Sequence, residues 1–212
     1  MDETLPVAGT AVVLRDRAEG MQTLMLRRPD HGSFPGAWVF PGGRVDPGDV
    51  GDDEQGRARS AALRETEEEA GIRVRDLRVL SCWEPPAEAP KRIRTWFFLA
   101  REDGDEIVTS EGEIEEAAWL TVADAFARHE SGGFTLFPPT WVTLDGLRRF
   151  RTVDEALDAA GDAAVFRTRV QSVEGGQRFL WEGDEEYPDR PGAPGARHRL
   201  TAGAVPWRYE RN

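Results

Sequence analysis

Glutamate fills four of the five positions from Glu65 to Glu69, and this run constrains the fold more than any other feature of the sequence. The residues from Ser60 to Ala70 are helix-forming types, and Gly71 stands where a left-handed helix cap is expected. Like charges one turn apart destabilise a helix by about 0.2–0.5 kcal/mol per pair. A chain that keeps such a run therefore needs a positive group that offsets the repulsion.

The spacing of the glutamates predicts which of them act together. With about 3.6 residues per turn, Glu65, Glu68 and Glu69 share one face of the helix, whereas Glu67 points away. Three carboxylates on a single turn are the oxygen donors that Mg²⁺ or Mn²⁺ prefers. Arg64, one turn before Glu68, can hold a carboxylate in place through paired hydrogen bonds. An acidic helix face that contacts only solvent is the alternative interpretation.

Charge and composition exclude several functions. The 212 residues include 39 acidic and 27 basic ones, and the formal charge of −12 disfavours binding to long nucleic acid or to an anionic membrane. The sequence contains no run of about 18 apolar residues and no basic then apolar leader, so the cytoplasm is the expected compartment. One cysteine, Cys82, and three histidines cannot build a nitrogen and sulfur metal site, so a metal would need oxygen ligands.

Hydrophobic patterning predicts a sheet flanked by helices. Residues 10–14 and 22–26 form two strands of a hairpin. The other predicted elements of this part are strands at 38–40, 77–83, 92–101 and 118–120, a loop at 46–56, and helices at 121–129, 140–150 and 153–160.

The last part of the chain differs in character. Two strands, 169–173 and 177–181, flank Glu174-Gly175-Gly176 and predict a second hairpin. The Pro- and Gly-rich segment 183–196 predicts a long loop or a flexible arm. We therefore divide the chain into a domain at 1–150 and a C-terminal extension at 151–212, which we expect to pack on the back of the sheet. Covering the active site and mediating dimerisation are the alternatives for the extension.

Two segments together resemble the signature of the Nudix hydrolases: Phe-Pro-Gly-Gly at 40–43 and Arg-Glu-Thr-Glu-Glu-Glu-Ala-Gly-Ile at 64–72. The family's box reads Gly, five residues, Glu, seven residues, then Arg-Glu-apolar-x-Glu-Glu-x-Gly-apolar. Gly43 matches the first glycine, Thr66 takes an apolar position, and Asp49 stands where the family has Glu. Because fourteen residues instead of seven follow Asp49, we place an insertion of about seven residues in the loop of the box. This interrupted box resembles the branch that includes peroxisomal coenzyme A diphosphatases and their bacterial relatives.

The resemblance covers residues 8–150 and implies an α+β fold, an α/β/α sandwich in which helices flank a mixed central sheet. It also implies an enzyme in which water attacks one phosphorus and cleaves the diphosphate linkage of a nucleoside diphosphate derivative, with Mg²⁺ or Mn²⁺ as cofactor. The matching metal ligands are the side chains of Glu65, Glu68 and Glu69 and the backbone carbonyl of Gly42 or Gly43, and Arg64 belongs with the catalytic residues.

The general base has several candidates. Many family members take it from a loop before the last strand, which here contains Glu111 and Glu113. In other members the base is a box glutamate, which is here Glu65 or Glu68. The interrupted box also leaves open the role that the family gives to the acid at position 49.

Three arginines beside the strand ends that flank the box, Arg27, Arg28 and Arg44, are candidates for binding substrate phosphates. Ordinary surface arginines are the alternative interpretation. A coenzyme A derivative, ADP-ribose, a dinucleotide polyphosphate, a nucleotide sugar or an oxidised nucleotide all suit the same site, so the substrate within this class stays open.

Two other functions are compatible with the same fold. A catalytically silent ligand sensor is the main alternative, although three intact carboxylates argue against it. Isomerase chemistry on an isoprenoid diphosphate would need a reactive cysteine, and nothing marks Cys82 as one. The expected partner is a small nucleoside diphosphate substrate, with no long nucleic acid and no membrane, and the resemblance also allows a homodimer.

Overall fold

The computed structural model describes residues 5–32, 35–104, 106–110 and 112–212. The strands are β1 (Val7–Arg17), β2 (Gly20–Arg27), β3 (Trp38–Val39), β4 (Gly42–Arg44), β5 (Val74–Glu84), β6 (Arg94–Glu102), β7 (Glu116–Thr121), β8 (Ala164–Arg167), β9 (Arg169–Val173), β10 (Gly176–Leu180), β11 (His198–Gly203) and β12 (Arg208–Arg211). The helices are α1 (Glu54–Ala70), α2 (Val122–Glu130), α3 (Pro138–Leu147) and α4 (Val153–Asp158). None of the described helices is long and apolar enough to span a membrane.

The main sheet is mixed, as predicted. Its strands follow the order β3-β2-β1-β6-β5-β8, β4 pairs with β1, and β7 pairs with β2. β1 runs parallel to β6 and β5 runs parallel to β8, whereas the other pairs are antiparallel. β9 to β12 form a separate antiparallel sheet. The predicted α+β fold with helices on a mixed sheet is confirmed.

Alternating side chains of the central strands build a core on each face of the main sheet. Phe97 and Leu99 of β6 point into the core formed with α2, α3 and α4, whereas Phe98 and Ala100 point into the core formed with α1. Helices therefore cover both sides of the sheet: α1 packs on one side, and α2, α3 and α4 pack on the other.

Helix α1 lies unusually close to the sheet because small residues line the contact. Gly9 of β1 faces Ala58 and Ala62, and a Cβ atom built on Gly9 would lie 1.8 Å from the carbonyl oxygen of Ala58. This contact fixes the height of α1 above β1, and β1 in turn pairs with β4 at Gly42 and Gly43. The close approach therefore positions the acidic end of α1 beside the two glycines.

Helix α1 begins six residues earlier than the composition predicts. It starts at Glu54, where Asp53 caps it by accepting a hydrogen bond from the Gly56 amide at 2.7 Å. The prediction of a loop through residue 56 and a helix from Ser60 was therefore wrong. The cause is Asp53, an effective N-cap in an acidic, Gly-rich stretch that by composition resembles a loop.

The C-terminal part extends the main sheet and also builds the second one. β8 pairs with β5, and the second sheet places Trp181 against the aromatic rings of Trp83 and Phe166. The predicted hairpin is present as β9 and β10, but β11 and β12 are strands that the sequence did not indicate. Segment 183–196 contains no helix or strand, yet Tyr187 within it is buried, so it packs on the fold instead of extending as an arm.

A buried ion pair anchors this segment. Asp184 is fully buried and accepts hydrogen bonds from both Nε and Nη2 of Arg199, from the amide of His198 at 2.8 Å and from the amide of Glu186 at 2.9 Å. Burial by itself would raise the pKa of Asp184, but these hydrogen bonds outweigh it and lower the pKa to about 2. The carboxylate is therefore satisfied only in its charged form.

We expect Asp184→Ala to lower the free energy of unfolding by about 3–5 kcal/mol, because it leaves Nε and Nη2 of the buried Arg199 guanidinium without their acceptor, while Glu186 still binds Nη1. Since the folded pKa lies below the ordinary value, the contribution of Asp184 is fully present above about pH 4 and is lost as the pH falls towards 2. Urea denaturation at pH 7 and at pH 3 measures both effects. Replacement of the exposed Asp162 by alanine is the control. An equal loss of unfolding free energy in the two variants would contradict the role of Asp184.

Candidate active site

Arg64 lies at the centre of the acidic end of α1. Its Nη1 donates to Oε1 of Glu65 at 2.9 Å and to Oε2 of Glu68 at 2.8 Å. Its Nη2 donates to the backbone carbonyl of Arg44 at 3.0 Å, which ties the helix to the residue that follows Gly43. One guanidinium thus orients two carboxylates of the helix relative to β4.

Asp49 holds the other side of the same guanidinium. Nε and Nη2 of Arg64 donate to its two oxygens at 3.2 and 3.0 Å, and the Asp46 amide donates at 2.7 Å. Burial raises the pKa of Asp49, but the hydrogen bonds from Arg64 and Asp46 more than offset this and lower it overall. The sequence left the role of an aspartate at this position open, and the structure places it as the bidentate partner of Arg64.

The insertion does not separate the two halves of the motif. Of the fourteen residues between Asp49 and Arg64, ten belong to α1 and only four form a loop. The expectation of a seven-residue loop insertion was therefore wrong. Seven residues correspond to nearly two helical turns, so a longer helix accommodates them while its acidic end keeps the same orientation.

Glu69 is the most buried of the glutamates, with 3% of its side chain exposed. Its Oε2 accepts a hydrogen bond from the Gly42 amide at 2.9 Å, and its Oε1 lies 3.8 Å from Nη1 of Arg28. Burial raises the pKa of Glu69 to about 7, and the charges of Glu65 and Glu113 act in the same direction. Burial therefore destabilises the charged form of Glu69 more than the Gly42 amide and Arg28 stabilise it.

Glu65 lies directly against Gly43. A Cβ atom built on Gly43 would lie 2.2 Å from Oε1 of Glu65, so only glycine leaves room for this carboxylate. Burial raises the pKa of Glu65, and Arg64 opposes that shift. The two glycines thus contact the first and the last glutamate of the 65–69 run. Gly43 leaves space for Glu65, and the Gly42 amide binds Glu69.

The loop that precedes β7 docks on the end of α1. The amides of Val108 and Ser110 donate to the carbonyls of Ala70 and Glu69 at 2.9 and 3.3 Å. This docking brings Glu113 near enough for its charge to raise the pKa of Glu69. Glu111, the other predicted base of this loop, lies outside the described residues.

The three predicted phosphate-binding arginines have different surroundings. Arg28 faces Glu69, and Arg44 is exposed at the end of β4. Arg27 already forms ion pairs with Glu115 and with Asp30. Arg28 and Arg44 are therefore better placed to meet a phosphate than Arg27 is.

The carboxylates of this site do not form a closed metal cage. Among the described ranges, no group of three or more His, Cys, Asp or Glu side chains lies close enough to hold an ion. The predicted convergence of Glu65, Glu68 and Glu69 on one point is thus not present. Each of the three carboxylates instead accepts a hydrogen bond from Arg64 or from the Gly42 amide.

The residues nevertheless fit a hard divalent cation. All donors are oxygens, which is the ligand type that Mg²⁺ and Mn²⁺ take. Burial raises the pKa of Glu65 and Glu69, and Arg64 and Arg28 only partly oppose that shift, so a cation beside these carboxylates would stabilise their charged form. The three glutamates project from the last two turns of α1, beside Gly42 and Gly43.

Comparison with known families agrees with this geometry. The NUDIX domain model matches residues 5–138, which is more than half of the chain. The chain belongs to the NUDIX family. The predicted family is thereby confirmed, and its box consists here of Gly43, Asp49 and the segment from Arg64 to Ile72.

Curated and solved Nudix proteins resemble the chain over different lengths. The NAD-capped RNA hydrolase NudC of Deinococcus radiodurans is 32% identical over 120 residues, which make up 56% of this chain and 39% of that protein. The chain thus spans about two-fifths of the length of this relative. The NUDIX hydrolase from Alicyclobacillus acidocaldarius has a TM-score of 0.68 and 25% identity, over 76% of this chain and 99% of that one. The Ap4A hydrolase of C. elegans has a TM-score of 0.50 and 26% identity, over 73% of this chain and 98% of that one.

Two features of the Nudix box became visible only in the structure. The Gly42 amide binds Glu69, for which the adjacent glycines in the sequence were the only signal. Thr66 occupies an apolar position and is buried, and its hydroxyl donates to the Ala62 carbonyl at 2.7 Å. The hydroxyl is therefore satisfied within the helix, which explains why threonine is tolerated there.

We expect Gly43→Ala to weaken Mn²⁺ binding about tenfold, because the new methyl group displaces the Glu65 carboxylate. The fold should persist, since the atoms that must move are the end of a flexible side chain. Titration followed by electron paramagnetic resonance measures the affinity. Gly48→Ala, where a Cβ atom meets nothing within 4 Å, is the matched control. Equal affinity in the two variants would contradict the placement of Glu65.

Proposed function

We propose that the chain is a Mg²⁺- or Mn²⁺-dependent hydrolase that cleaves the diphosphate linkage of a nucleoside diphosphate derivative by attack of water on phosphorus. The observation that carries this proposal is the acidic turn held between Arg64 and the Gly42–Gly43 pair, where Arg64 orients Glu65 and Glu68 and the Gly42 amide binds Glu69. Membership of the Nudix family supports it.

The acidic residues and Arg64 have different roles in this proposal. Glu65, Glu68 and Glu69 would hold the divalent ion, which supplies Lewis acidity at the diphosphate oxygens and lowers the pKa of a bound water. Arg64 and Asp49 keep the glutamates oriented. Positioned carboxylates of this kind contribute mainly by electrostatic preorganisation.

Glu113 is our choice for the general base. Its loop is fixed to the end of α1 by two backbone hydrogen bonds, and its charge acts on Glu69. Its carboxylate lies 3.4 Å from the Ser110 hydroxyl and is otherwise exposed, so it can take a proton from water. Glu111, Glu65 and Glu68 are the alternatives, and of these Glu65 and Glu68 already accept hydrogen bonds from Arg64.

Arg28 and Arg44 are proposed to bind the phosphates. Arg28 lies beside the most buried glutamate, and Arg44 adjoins Gly43 at the end of β4. Both side chains end in guanidinium groups, which suit phosphate oxygens.

Dinucleotides are the proposed substrates. The relatives include a hydrolase of NAD-capped RNA and a hydrolase of Ap4A, and both substrates contain two nucleosides joined through phosphates. NAD and Ap4A are therefore the first compounds to test. A homodimer also stays a prediction, which analytical ultracentrifugation can check.

We expect Glu68→Gln and Glu69→Gln each to lower kcat for dinucleotide hydrolysis by at least about 100-fold, because each removes charge at the ion. Glu67→Gln, on the opposite side of the same turn, is the matched control and should retain activity. Chromatography of the products after incubation with Mg²⁺ measures the rates. Unchanged turnover in either test variant would refute the assignment. Tight binding of a dinucleotide without turnover by the unaltered protein would favour the ligand sensor.

Glu113→Gln should lower kcat by about 10²–10⁴-fold and remove the acidic limb of the pH profile, since an amide cannot accept the proton. The control is Glu116→Gln, in the same acidic segment, which should leave kcat and the pH profile unchanged. If Glu113→Gln keeps the original pH profile, the base is Glu111, Glu65 or Glu68 instead.

A further inference from the structure

An open cleft of about 600 Å³ lies beside the first half of α1, and none of the glutamates at 65–69 lines it. Its walls come from α1, β5, β6, the end of α4 and the residues that follow α4. Arg59, which lines the cleft, precedes Glu69 by ten residues in the same helix, or about 15 Å along the helix axis. Small-molecule sites have volumes of about 300–1,000 Å³. The cleft is therefore large enough for a ligand of its own, away from the acidic turn.

The cleft exists because one edge of β5 is only partly covered. β6 pairs with β5 from residue 74 to residue 83, but β8 pairs with β5 only at residues 81–84. No described strand lies on that edge of β5 before residue 81. The chain between α4 and β8 passes here, and Ala160 and Gly161 complete the wall. The open side of the cleft thus follows from the position at which β8 begins.

Two arginines at this cleft have no partner. Most arginines of the chain form an ion pair with a carboxylate. The side chains of Arg59 on α1 and Arg78 on β5 form neither an ion pair nor a hydrogen bond with any described residue. Guanidinium groups bind phosphate oxygens through paired hydrogen bonds. Both arginines are therefore available to an anion that enters the cleft.

An apolar wall accompanies the two cations. Leu77 and Val79 of β5 and Phe98 of β6 lie on the α1 side of the sheet and line the cleft, and Leu157 of α4 adds to them. Covering such a wall with an apolar or aromatic group removes apolar surface from water. The cleft therefore suits an anion that also has a flat, weakly polar body, better than it suits a bare inorganic ion.

Gln55 and Asp158 restrict the ligand further. Gln55 lies one turn before Arg59 on α1, Asp158 is the last residue of α4, and both line the cleft. Neither side chain forms a hydrogen bond within the described part of the chain. A carboxylate accepts hydrogen bonds and repels a second anionic group, whereas an amide donates and accepts. A fatty acid would satisfy neither side chain. The ligand that fits has one anionic end and carries hydroxyl or amino groups elsewhere.

An added peptide strand is the other occupant that a free sheet edge can take. The pairing of β5 with β6 is irregular between Arg75 and Arg78 and again between Val79 and Ser81. Asp76, within the first irregularity, has a φ of 57°. Bulges of this kind twist an edge away from a regular partner strand. The open part of β5 therefore favours a compact ligand over a strand.

We propose that the cleft is a second ligand site, which binds a nucleoside monophosphate with its phosphate at Arg59 and Arg78. The base lies against the apolar wall, and the hydroxyl and amino groups of the nucleoside meet Gln55 and Asp158. A mononucleotide has one phosphate, a flat ring and two ribose hydroxyls, so each feature of the cleft has a counterpart in it. The site uses no metal ion and does not depend on the hydrolysis proposed at the acidic turn.

Isothermal titration calorimetry with AMP, in EDTA and without divalent ions, tests the site. We expect the double variant Arg59→Gln/Arg78→Gln to bind AMP at least about tenfold more weakly than the unaltered protein, because both phosphate partners are lost. The control, Arg57→Gln/Arg128→Gln, removes two exposed and unpaired arginines outside the cleft and changes the net charge equally. Its affinity should stay within about twofold, because salt screens distant charges.

Inorganic phosphate, titrated in the same way, tests the contribution of the nucleoside. The unaltered protein should bind AMP at least about tenfold more tightly than phosphate, because only AMP covers the apolar wall. Asp158→Asn should narrow this difference, since a neutral amide repels phosphate less and accepts hydrogen bonds from hydroxyl groups less strongly than a carboxylate does.

Three outcomes would overturn the proposal. The first is no binding of AMP, or equal weakening in the cleft and control variants. The second is equal affinity for phosphate and AMP, which removes the nucleoside from the assignment. The third is a loss of AMP binding in Arg28→Gln/Arg44→Gln but not in the cleft variant, which places AMP at the acidic turn. Assays of diphosphate hydrolysis with Mg²⁺ decide the proposed function separately, since an inactive protein that binds AMP in the cleft refutes only the hydrolase.

Discussion

The contact between Arg64 and Asp49 is the interaction on which the site depends. Asp49 is buried, and its two oxygens take the Nε and Nη2 groups, which leaves Nη1 free to bind Glu65 and Glu68. The hydrogen bond that Arg64 donates to Asp49 contributes most to raising the pKa of Arg64. A guanidinium held on one edge presents its other edge in a fixed direction. The acidic turn therefore has a defined orientation before any cation binds.

Close packing beneath α1 makes that orientation relevant to the sheet. Gly9 lets the helix approach β1 until backbone atoms touch, and the same strand pairs with Gly42 and Gly43. The helix and the glycine turn thus share one support. The added helical turns at the start of α1 lengthen this contact, and Ala58 and Ala62 are the small residues that permit it.

The C-terminal extension is joined to α1 through a series of ion pairs in which acidic and basic residues alternate. Glu54 of α1 pairs with Arg94, Arg94 with Glu84, Glu84 with Arg167, and Arg167 with Glu182. Most of these side chains are partly exposed, so each pair by itself adds little stability. Their order nevertheless connects the first turn of α1, by way of β6, β5 and β8, to the segment that follows β10. The extension and α1 therefore share one charged surface.

The sequence by itself determined the family, the mixed sheet and the identity of the acidic turn, because glutamate spacing and the glycine pair are local patterns with a direct chemical meaning. It did not determine that Asp53 starts the helix early, since capping depends on one residue within a stretch that otherwise resembles a loop. Nor did it show that Asp49 meets Arg64 or that Glu113 approaches Glu69. Those contacts join residues far apart along the chain, and only the packing of α1 on β1 and the docking of the loop before β7 bring them together.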